Sequence, residues 1–189
     1  IEGDADFEVP TVAAALTQTG QFIDTGASAP LNLPDTLSLS AYHQISRQWG
    51  IMGDVSWTNW SRFDELKIDF DNPLQADRRQ PQNWKDTVRL GVGMNYAMND
   101  QLTLRTGIAY DPSPVKDEFR TARVPDNDRV WLAVGASYQA SPSLSIDIGY
   151  AHLFIDKAPI NQSSSTEGTL RGTYHNNVDI IGVQVNWKF

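Results

Sequence analysis

The chain contains 189 residues, with 15 Lys and Arg against 23 Asp and Glu, and its formal net charge is -8. The basic residues form no dense run, so the electrostatic footprint of a nucleic-acid-binding protein is missing. The absence of Cys excludes disulfides, thiolate metal sites and cysteine nucleophiles, and three scattered His indicate no metal centre and no cofactor. The longest apolar run, residues 130–136, is far shorter than the ~20 residues that a membrane-spanning helix needs.

Seven segments place apolar residues at every second position, which is the period of a β-strand whose two faces meet different environments. In residues 88–98 the even positions, such as Leu90 and Val92, are apolar, whereas the odd positions, such as Arg89 and Gly91, are charged or small. The sequence therefore predicts an all-β protein with seven main strands. They cover residues 37–45, 51–57, 88–98, 102–111, 130–138, 144–154 and 181–189.

The two faces of these strands differ in a way that favours a transmembrane barrel over a soluble sheet. The apolar face carries no Lys, Arg, Asp or Glu, whereas the other face is lined by small and polar residues. An outer-membrane barrel turns its apolar face to lipid and its polar face to the lumen. A soluble sandwich or barrel is the alternative that the alternation leaves open. The charged residues of the polar face include Asp54, Lys85, Arg89, Arg105, Arg129 and Asp147.

The connections between the strands alternate strictly between short and long. Residues 46–49, 99–100 and 140–142 are tight, whereas residues 71–84, 112–127 and 156–173 are long and polar. Outer-membrane barrels have short periplasmic turns and long extracellular loops, so we expect a periplasmic C-terminus. Residues 1–34 hold five acidic residues and no basic one, which predicts an extracellular loop segment ahead of a barrel region at 35–189. Contact of these acids with lipopolysaccharide through divalent ions is the less favoured interpretation.

The apolar positions change parity after the second predicted strand. They are odd through Trp57 but even at Leu66, Ile68 and Phe70. One extra residue within residues 59–63 would preserve the facing of both halves, so we predict a β-bulge there.

Three runs of this sequence resemble the C-terminal half of the FadL family of outer-membrane transporters for long-chain fatty acids and hydrocarbons. The stretches RTGIAYDPSPV and PDNDRVW are the most specific, and the resemblance covers nearly the whole chain. The runs are LPDTLSLSAYHQISRQWGIMGDVSWTNWSRFDEL at 33–66, WKDTVRLGVGMNYAMNDQLTLRTGIAYDPSPV at 84–115 and VPDNDRVWLAVGASY at 124–138.

This resemblance implies a fourteen-stranded, antiparallel and monomeric transmembrane β-barrel in the outer membrane of a Gram-negative bacterium, with these strands as the last seven. The plug domain and the first seven strands of the family have no counterpart in this sequence. Seven strands alone leave two open edges, which hydrocarbon does not tolerate. We therefore interpret the chain as part of a longer protein.

The function that the resemblance implies is passive uptake of hydrophobic compounds, above all long-chain fatty acids, by binding in a plugged barrel and lateral release into lipid. Uptake of aromatic hydrocarbons and a general porin remain alternatives. A lipid hydrolase or acyltransferase would need Ser and His side by side. Because His43 and His152 lie at predicted lipid-facing positions and His175 precedes the last strand, we predict no catalytic residue and no enzyme activity.

The inward-facing charges have a structural and a functional interpretation. The structural one is an ion-pair network that braces the lumen wall. The functional one is capture of a ligand carboxylate by one or two of the bases nearer the outer mouth, which are Lys85 or the loop residues Arg78 and Arg79. The resemblance implies that basic residues bind the carboxylate. It also implies that Val185, Trp187 and Phe189 form the terminal signal for the outer-membrane assembly machinery. The predicted network consists of Asp54, Arg89, Arg105, Asp111, Arg129 and Asp147.

Overall fold

The computed structural model describes residues 2–164 and 168–188, and these residues form β-strands with only short helical turns. One short helix, α1, covers Ala15–Gln18, and none of the described helices is long and apolar enough to cross a membrane. The strands are β1 Glu2–Ala5, β2 Thr25–Ser28, β3 Thr36–Gln44, β4 Trp49–Thr58, β5 Glu65–Phe70, β6 Arg78–Pro81, β7 Thr87–Ala97, β8 Leu102–Asp111, β9 Arg129–Ser141, β10 Leu144–Ile155, β11 Ala158–Ser164, β12 Gly168–Tyr174 and β13 Asn177–Trp187.

The chain divides into two compact units, and the larger one, Asp35–Trp60 with Lys85–Phe189, contains the seven-stranded sheet. Its strand order is β13-β10-β9-β8-β7-β4-β3, and every neighbouring pair is antiparallel. All seven predicted strands are present. The last one begins at Asn177, four residues before the predicted start at 181, while Phe189 lies outside the described residues.

The two faces of this sheet have opposite exposure. Along β7 the even residues from Val88 to Met94 are exposed, and Val92 keeps 63% of its surface exposed, whereas the odd residues Thr87 and Gly91 are buried. The outer face, defined by the exposed apolar residues of the seven strands, continues to Leu37 on β3 and Ile181 on β13. A sheet-wide apolar surface of this kind is unfavourable in water and suits a hydrocarbon solvent. The opposite, polar side of the sheet is its inner face.

The tight turns lie at one end of the seven-stranded sheet and the long connections lie at the other. We call these the tight-turn end and the long-connection end. At the tight-turn end, Ser46 N donates to Trp49 O at 3.1 Å and Met98 N donates to Leu102 O at 2.9 Å. The long connections 59–86, 112–128 and 156–176 all lie at the opposite ends of the strands. The last of them contains a two-stranded ribbon, β11 with β12, that the sequence pattern did not predict.

The smaller unit comprises Ile1–Pro34 and Ser61–Trp84 and has its own sheet in the order β1-β2-β5-β6. An aromatic cluster packs within it, because the Phe7 ring lies 5.7 Å from that of Phe22 and 6.0 Å from that of Phe70. Residues 1–34, predicted as a loop segment, therefore include two strands and associate with residues 61–84.

The predicted bulge within residues 59–63 is wrong. β4 ends at Thr58, a single 3-10 turn follows at Trp60–Arg62, and β5 then pairs with β2 and β6 rather than continuing β4. The change of parity between Trp57 and Leu66 thus marks a change of sheet, and no strand spans it.

Arginine in place of Val92 should destabilise the sheet, because this residue lies at the middle of β7 on the outer face. A charge at the midplane of a lipid-facing surface costs about 2–4 kcal/mol. Reversible unfolding of the full-length protein in lipid vesicles measures this cost. Ala133→Arg, at mid-strand on the inner face of β9, is the matched control and should cost less. Equal losses would contradict the assignment of the two faces.

Candidate functional site

A groove of about 590 Å³ follows the inner face of the seven-stranded sheet. Glycines form part of its floor, which we call the glycine floor: Gly93 lies opposite Gly107, and Gly149 lies between Gly135 and Gly182 in the strand register. A Cβ at Gly135 would stand 2.9 Å from the Ile148 carbonyl oxygen. The side chains and backbone that border the groove come from Met52, Asp54, Arg89, Arg105, Trp131, Ala133, Asp147 and Gln184, among others.

The six residues of the predicted ion-pair network pair with one another in three places on the inner face. Arg89 Nη1 lies 3.2 Å from Asp54 Oδ2, and Arg105 Nη1 lies 3.1 Å from Asp147 Oδ1. Arg129 Nε lies 3.1 Å from Asp111 Oδ2. The charges of these arginines are therefore neutralised by residues of the wall itself.

The sequence pattern missed several partners of these pairs. Asp126 Oδ1 lies 3.1 Å from Arg129 Nη1, and Asn186 Nδ2 donates to Asp147 Oδ2 at 3.2 Å. Ser137 also donates a short hydrogen bond to Asp147. Ser137 and Asn186 lie at polar-face positions of their strands, so the alternation contained the signal. Asp126 lies in a connection, where periodicity gives none.

Trp131 adds an aromatic wall to the groove. The guanidinium carbon of Arg89 lies 5.7 Å from the centre of the Trp131 ring, which is a cation–π distance. The indole Nε1 is buried and has no hydrogen-bond partner among residues 2–164 and 168–188. Trp131 was not predicted as a site residue, although its odd position on β9 places it on the inner face.

The two most specific sequence stretches meet at the long-connection end, where Asp128 joins them. Tyr110 Oη donates to Asp128 Oδ2 at 2.6 Å, and Ser113 N donates to Asp128 Oδ1 at 2.9 Å. Burial raises the pKa of the Asp128 carboxyl, but these hydrogen bonds and the charges of Lys85 and Arg129 outweigh it and hold the pKa below its usual value. Asp128 is therefore a carboxylate at neutral pH.

Arg120 fastens the connection 112–128 to the β11–β12 ribbon. Its side chain is fully buried, its Nε donates to Asp126 O at 2.9 Å, and its Nη1 donates to Pro159 O at 2.8 Å. Asn176 Nδ2 adds a bond to Pro125 O at 2.8 Å, and Asn127 Nδ2 one to Lys157 O at 2.7 Å. These four bonds hold the PDNDR segment in place above the strands.

Lys85 is the first residue of the larger unit's second segment and lies just before β7. Its backbone N donates to Pro114 O at 3.0 Å, while its side chain is exposed. The ion pairs formed within the described part of the chain do not include the Lys85 ammonium. It thus differs from Arg89, Arg105 and Arg129.

Arg78 and Arg79 belong to the smaller unit, on the short strand β6. Arg79 Nη1 donates to Glu65 Oε1 at 3.0 Å on the neighbouring strand β5. Arg78 also has an interaction partner. The three bases predicted to bind a ligand are therefore divided between two units.

The histidines form no arrangement suited to acyl chemistry within the described residues. His152 Nδ1 lies 2.7 Å from Asp179 Oδ1, and the same oxygen accepts a bond of 2.6 Å from Tyr150 Oη. These residues lie on the outer face, where the early start of β13 places Asp179, so one carboxylate does occupy that face. No cluster of three potential metal-ligating residues occurs in the parts of the chain described.

The C-terminal strand supplies two of the three predicted assembly-signal residues. Val185 pairs with Ile146 and Trp187 with Leu144, and both keep more than half of their surface exposed on the outer face. Phe189 lies outside the described residues.

The combination of an exposed apolar face, a charged inner face with a groove and alternating short and long connections defines the wall of a transmembrane β-barrel. The sequence profile of the family described as "Outer membrane protein transport protein (OMPP1/FadL/TodX)" matches residues 2–189. The chain therefore belongs to this family of Gram-negative outer-membrane proteins, which excludes the soluble sandwich and confirms the predicted fold class.

Known proteins similar to this chain include the long-chain fatty acid transport protein of Escherichia coli strain K12, with 32% identity over 183 residues, covering 96% of this chain and 38% of that protein. The crystal structure of a Pseudomonas aeruginosa FadL homologue has a TM-score of 0.81 and 30% identity, over 87% of this chain and 38% of that one. The P. putida toluene transporter TodX shares the fold alone, with a TM-score of 0.63 and 18% identity over 87% of this chain and 37% of that one. The chain spans less than half the length of the relatives it matches.

Arg129→Met should destabilise the protein more than Arg105→Met. Arg129 is three-quarters buried and its loss leaves the carboxylates of Asp111 and Asp126 without their counter-charge, which costs about 1–3 kcal/mol. Arg105 is 53% exposed, so its loss should cost less than about 1 kcal/mol. Denaturant unfolding of the two variants in detergent measures the difference, and the reverse order would contradict it.

Proposed function

We propose that this chain is the C-terminal half of an outer-membrane transporter that takes up long-chain fatty acids by passive binding inside the barrel and lateral release into lipid. The observation that carries this proposal is that the Lys85 ammonium forms no ion pair among the described residues. The inner-face cations Arg89, Arg105 and Arg129 are neutralised by the wall, whereas the Lys85 ammonium is available at the long-connection end.

The two parts of a fatty acid match two parts of the larger unit. Its carboxylate needs a counter-charge, because an unpaired charge in a low-dielectric pocket is strongly disfavoured, and Lys85 supplies one. Its apolar tail needs a surface without unpaired charge, and the small residues Gly107, Ala133 and Gly135 supply one beside wall charges that are paired with one another. Transport of this kind requires only binding and release of the ligand. The proposal therefore includes no catalytic residue and no enzyme activity.

Uptake of an aromatic hydrocarbon is the second candidate, and Trp131 is the observation that favours it. The indole ring forms part of the groove, where aromatic packing suits a flat apolar ligand. Such a ligand has no carboxylate and would not depend on Lys85. The two candidates therefore differ in one measurable property.

The proposed orientation places the long connections outside the cell and the C-terminus in the periplasm, as the short and long connections of outer-membrane barrels favour. Residues 1–34 would then form an extracellular segment that can contact lipopolysaccharide. Within the described residues β3 and β13 each pair along one edge only, which supports completion of the wall by further strands to a monomeric fourteen-stranded barrel. Val185, Trp187 and Phe189 would then present the terminal signal to the assembly machinery.

Lys85→Ala in the full-length protein should weaken binding of oleate much more than binding of methyl oleate, because only the acid needs the ammonium. Titration of both ligands in detergent, by calorimetry or by competition with a fluorescent fatty acid, measures the ratio of their dissociation constants. Arg79→Ala is the matched control, because this base is already paired with Glu65.

An equal effect of Lys85→Ala on both ligands would contradict the carboxylate role. The same outcome with tight binding of a neutral aromatic compound would favour the hydrocarbon candidate instead. A selective effect of Arg79→Ala would move the site to the smaller unit.

Deletion of Phe189 should lower the folded yield in cells far more than the stability measured after refolding in detergent, because the machinery that reads the signal is absent from the refolding mixture. Heat-modifiable migration on gels measures the yield, and denaturant unfolding measures the stability. Equal losses would show that Phe189 serves only as the end of a packed strand.

A further inference from the structure

Residues 112–115 of the larger unit bind two residues of opposite charge, Lys85 and Asp128. The Pro114 carbonyl accepts the backbone N–H of Lys85 at 3.0 Å, and the neighbouring Ser113 N–H donates to the Asp128 carboxylate at 2.9 Å. Ser113 itself is 1% exposed, so the turn is a fixed support. The lysine and the aspartate are thus attached to adjacent residues of the same rigid segment.

The Asp128 carboxylate is restrained on both of its oxygens. Oδ1 accepts the Ser113 N–H, and Oδ2 accepts the Tyr110 hydroxyl at 2.6 Å. Ser113 is held in turn by a bond of 2.7 Å from its Oγ to Asp126 Oδ2. Both carboxylate oxygens therefore have a hydrogen-bond donor, and no ion pair joins Asp128 to the Lys85 ammonium within the residues described.

We propose that Asp128 is a positioning residue for ligand capture by Lys85, a restrained counter-charge that stays near the lysine without pairing with it. This inference rests on the proposed function. A bound carboxylate and the Asp128 carboxylate would both lie near the Lys85 ammonium, and their like charges would repel each other. Asp128 therefore lowers the affinity of the site for a carboxylate ligand and favours its release towards the groove.

Two substitutions at this site should act in opposite directions. Asp128→Asn removes the charge, while its amide oxygen still accepts from Ser113 and its amide NH₂ donates to Tyr110, so oleate should bind about two- to fivefold more tightly. Tyr110→Phe keeps the charge but frees Oδ2 to turn to Lys85, so oleate should bind more weakly by a similar factor. Neither change should alter binding of methyl oleate.

The experiment measures the dissociation constants of oleate and methyl oleate for the full-length protein and for Lys85→Ala, Asp128→Asn, Tyr110→Phe and the double variant Lys85→Ala with Asp128→Asn. Glu118→Gln is the control for a general charge effect, because it removes a carboxylate from the same connection at an exposed residue that takes part in no ion pair among the described residues. It should change neither constant.

The arms separate this inference from the function on which it rests. Loss of oleate binding in Lys85→Ala with no change in Asp128→Asn would leave the function standing and overturn the role of Asp128. Tightening by Asp128→Asn that persists in the double variant, or that Glu118→Gln reproduces, would overturn it too. No effect of Lys85→Ala would overturn both. Should Asp128→Asn fail to fold, the direction of the Tyr110→Phe effect alone decides.

Discussion

Every strand of the seven-stranded sheet lies between two different solvents, and the remaining features depend on that constraint. Hydrocarbon offers no hydrogen-bond partner, so the backbone must pair completely with neighbouring strands while side chains of one parity face lipid. The alternation of side chains between the two faces explains the exposure of Val92 and Ile181. It also explains why Arg89 and Arg129 lie on the inner face, where they pair with carboxylates. Among the described residues of the seven-stranded sheet, Asp179 is a carboxylate on the outer face, and it accepts a hydrogen bond from Tyr150 and lies 2.7 Å from His152.

This constraint also explains which parts of the fold could be predicted from the sequence. All seven main strands were predictable because each has to display its parity along its whole length, and the tight turns were predictable from the gaps between them. The smaller unit has no such requirement. β1, β2, β5 and β6 are short and show no alternation of exposure, so Leu66 and Phe70 suggested a bulge in β4 when they belong to a separate sheet.

The site shows the same contrast. The pairs of Arg89 with Asp54 and of Arg105 with Asp147 follow from polar-face positions on nearby strands, which periodicity supplies. The roles of Ser113, Arg120 and Asp128 depend on the path of a connection whose sequence has no periodic pattern. The stretches DPSPV and PDNDR indicated the family, but they did not predict which residues contact one another. Only the fold shows that these two stretches bind one another and that Lys85 is attached to the first of them.

The glycine floor has a consequence for the rate at which a ligand moves. A wall of long side chains imposes a succession of small barriers, because each chain has to change rotamer as a molecule passes. At Gly93, Gly107, Gly135, Gly149 and Gly182 the groove exposes backbone, which a paired sheet holds still and which has no rotamer to exchange. Under the proposed function, an apolar chain would therefore meet fewer rotamer barriers at these positions than at long side chains.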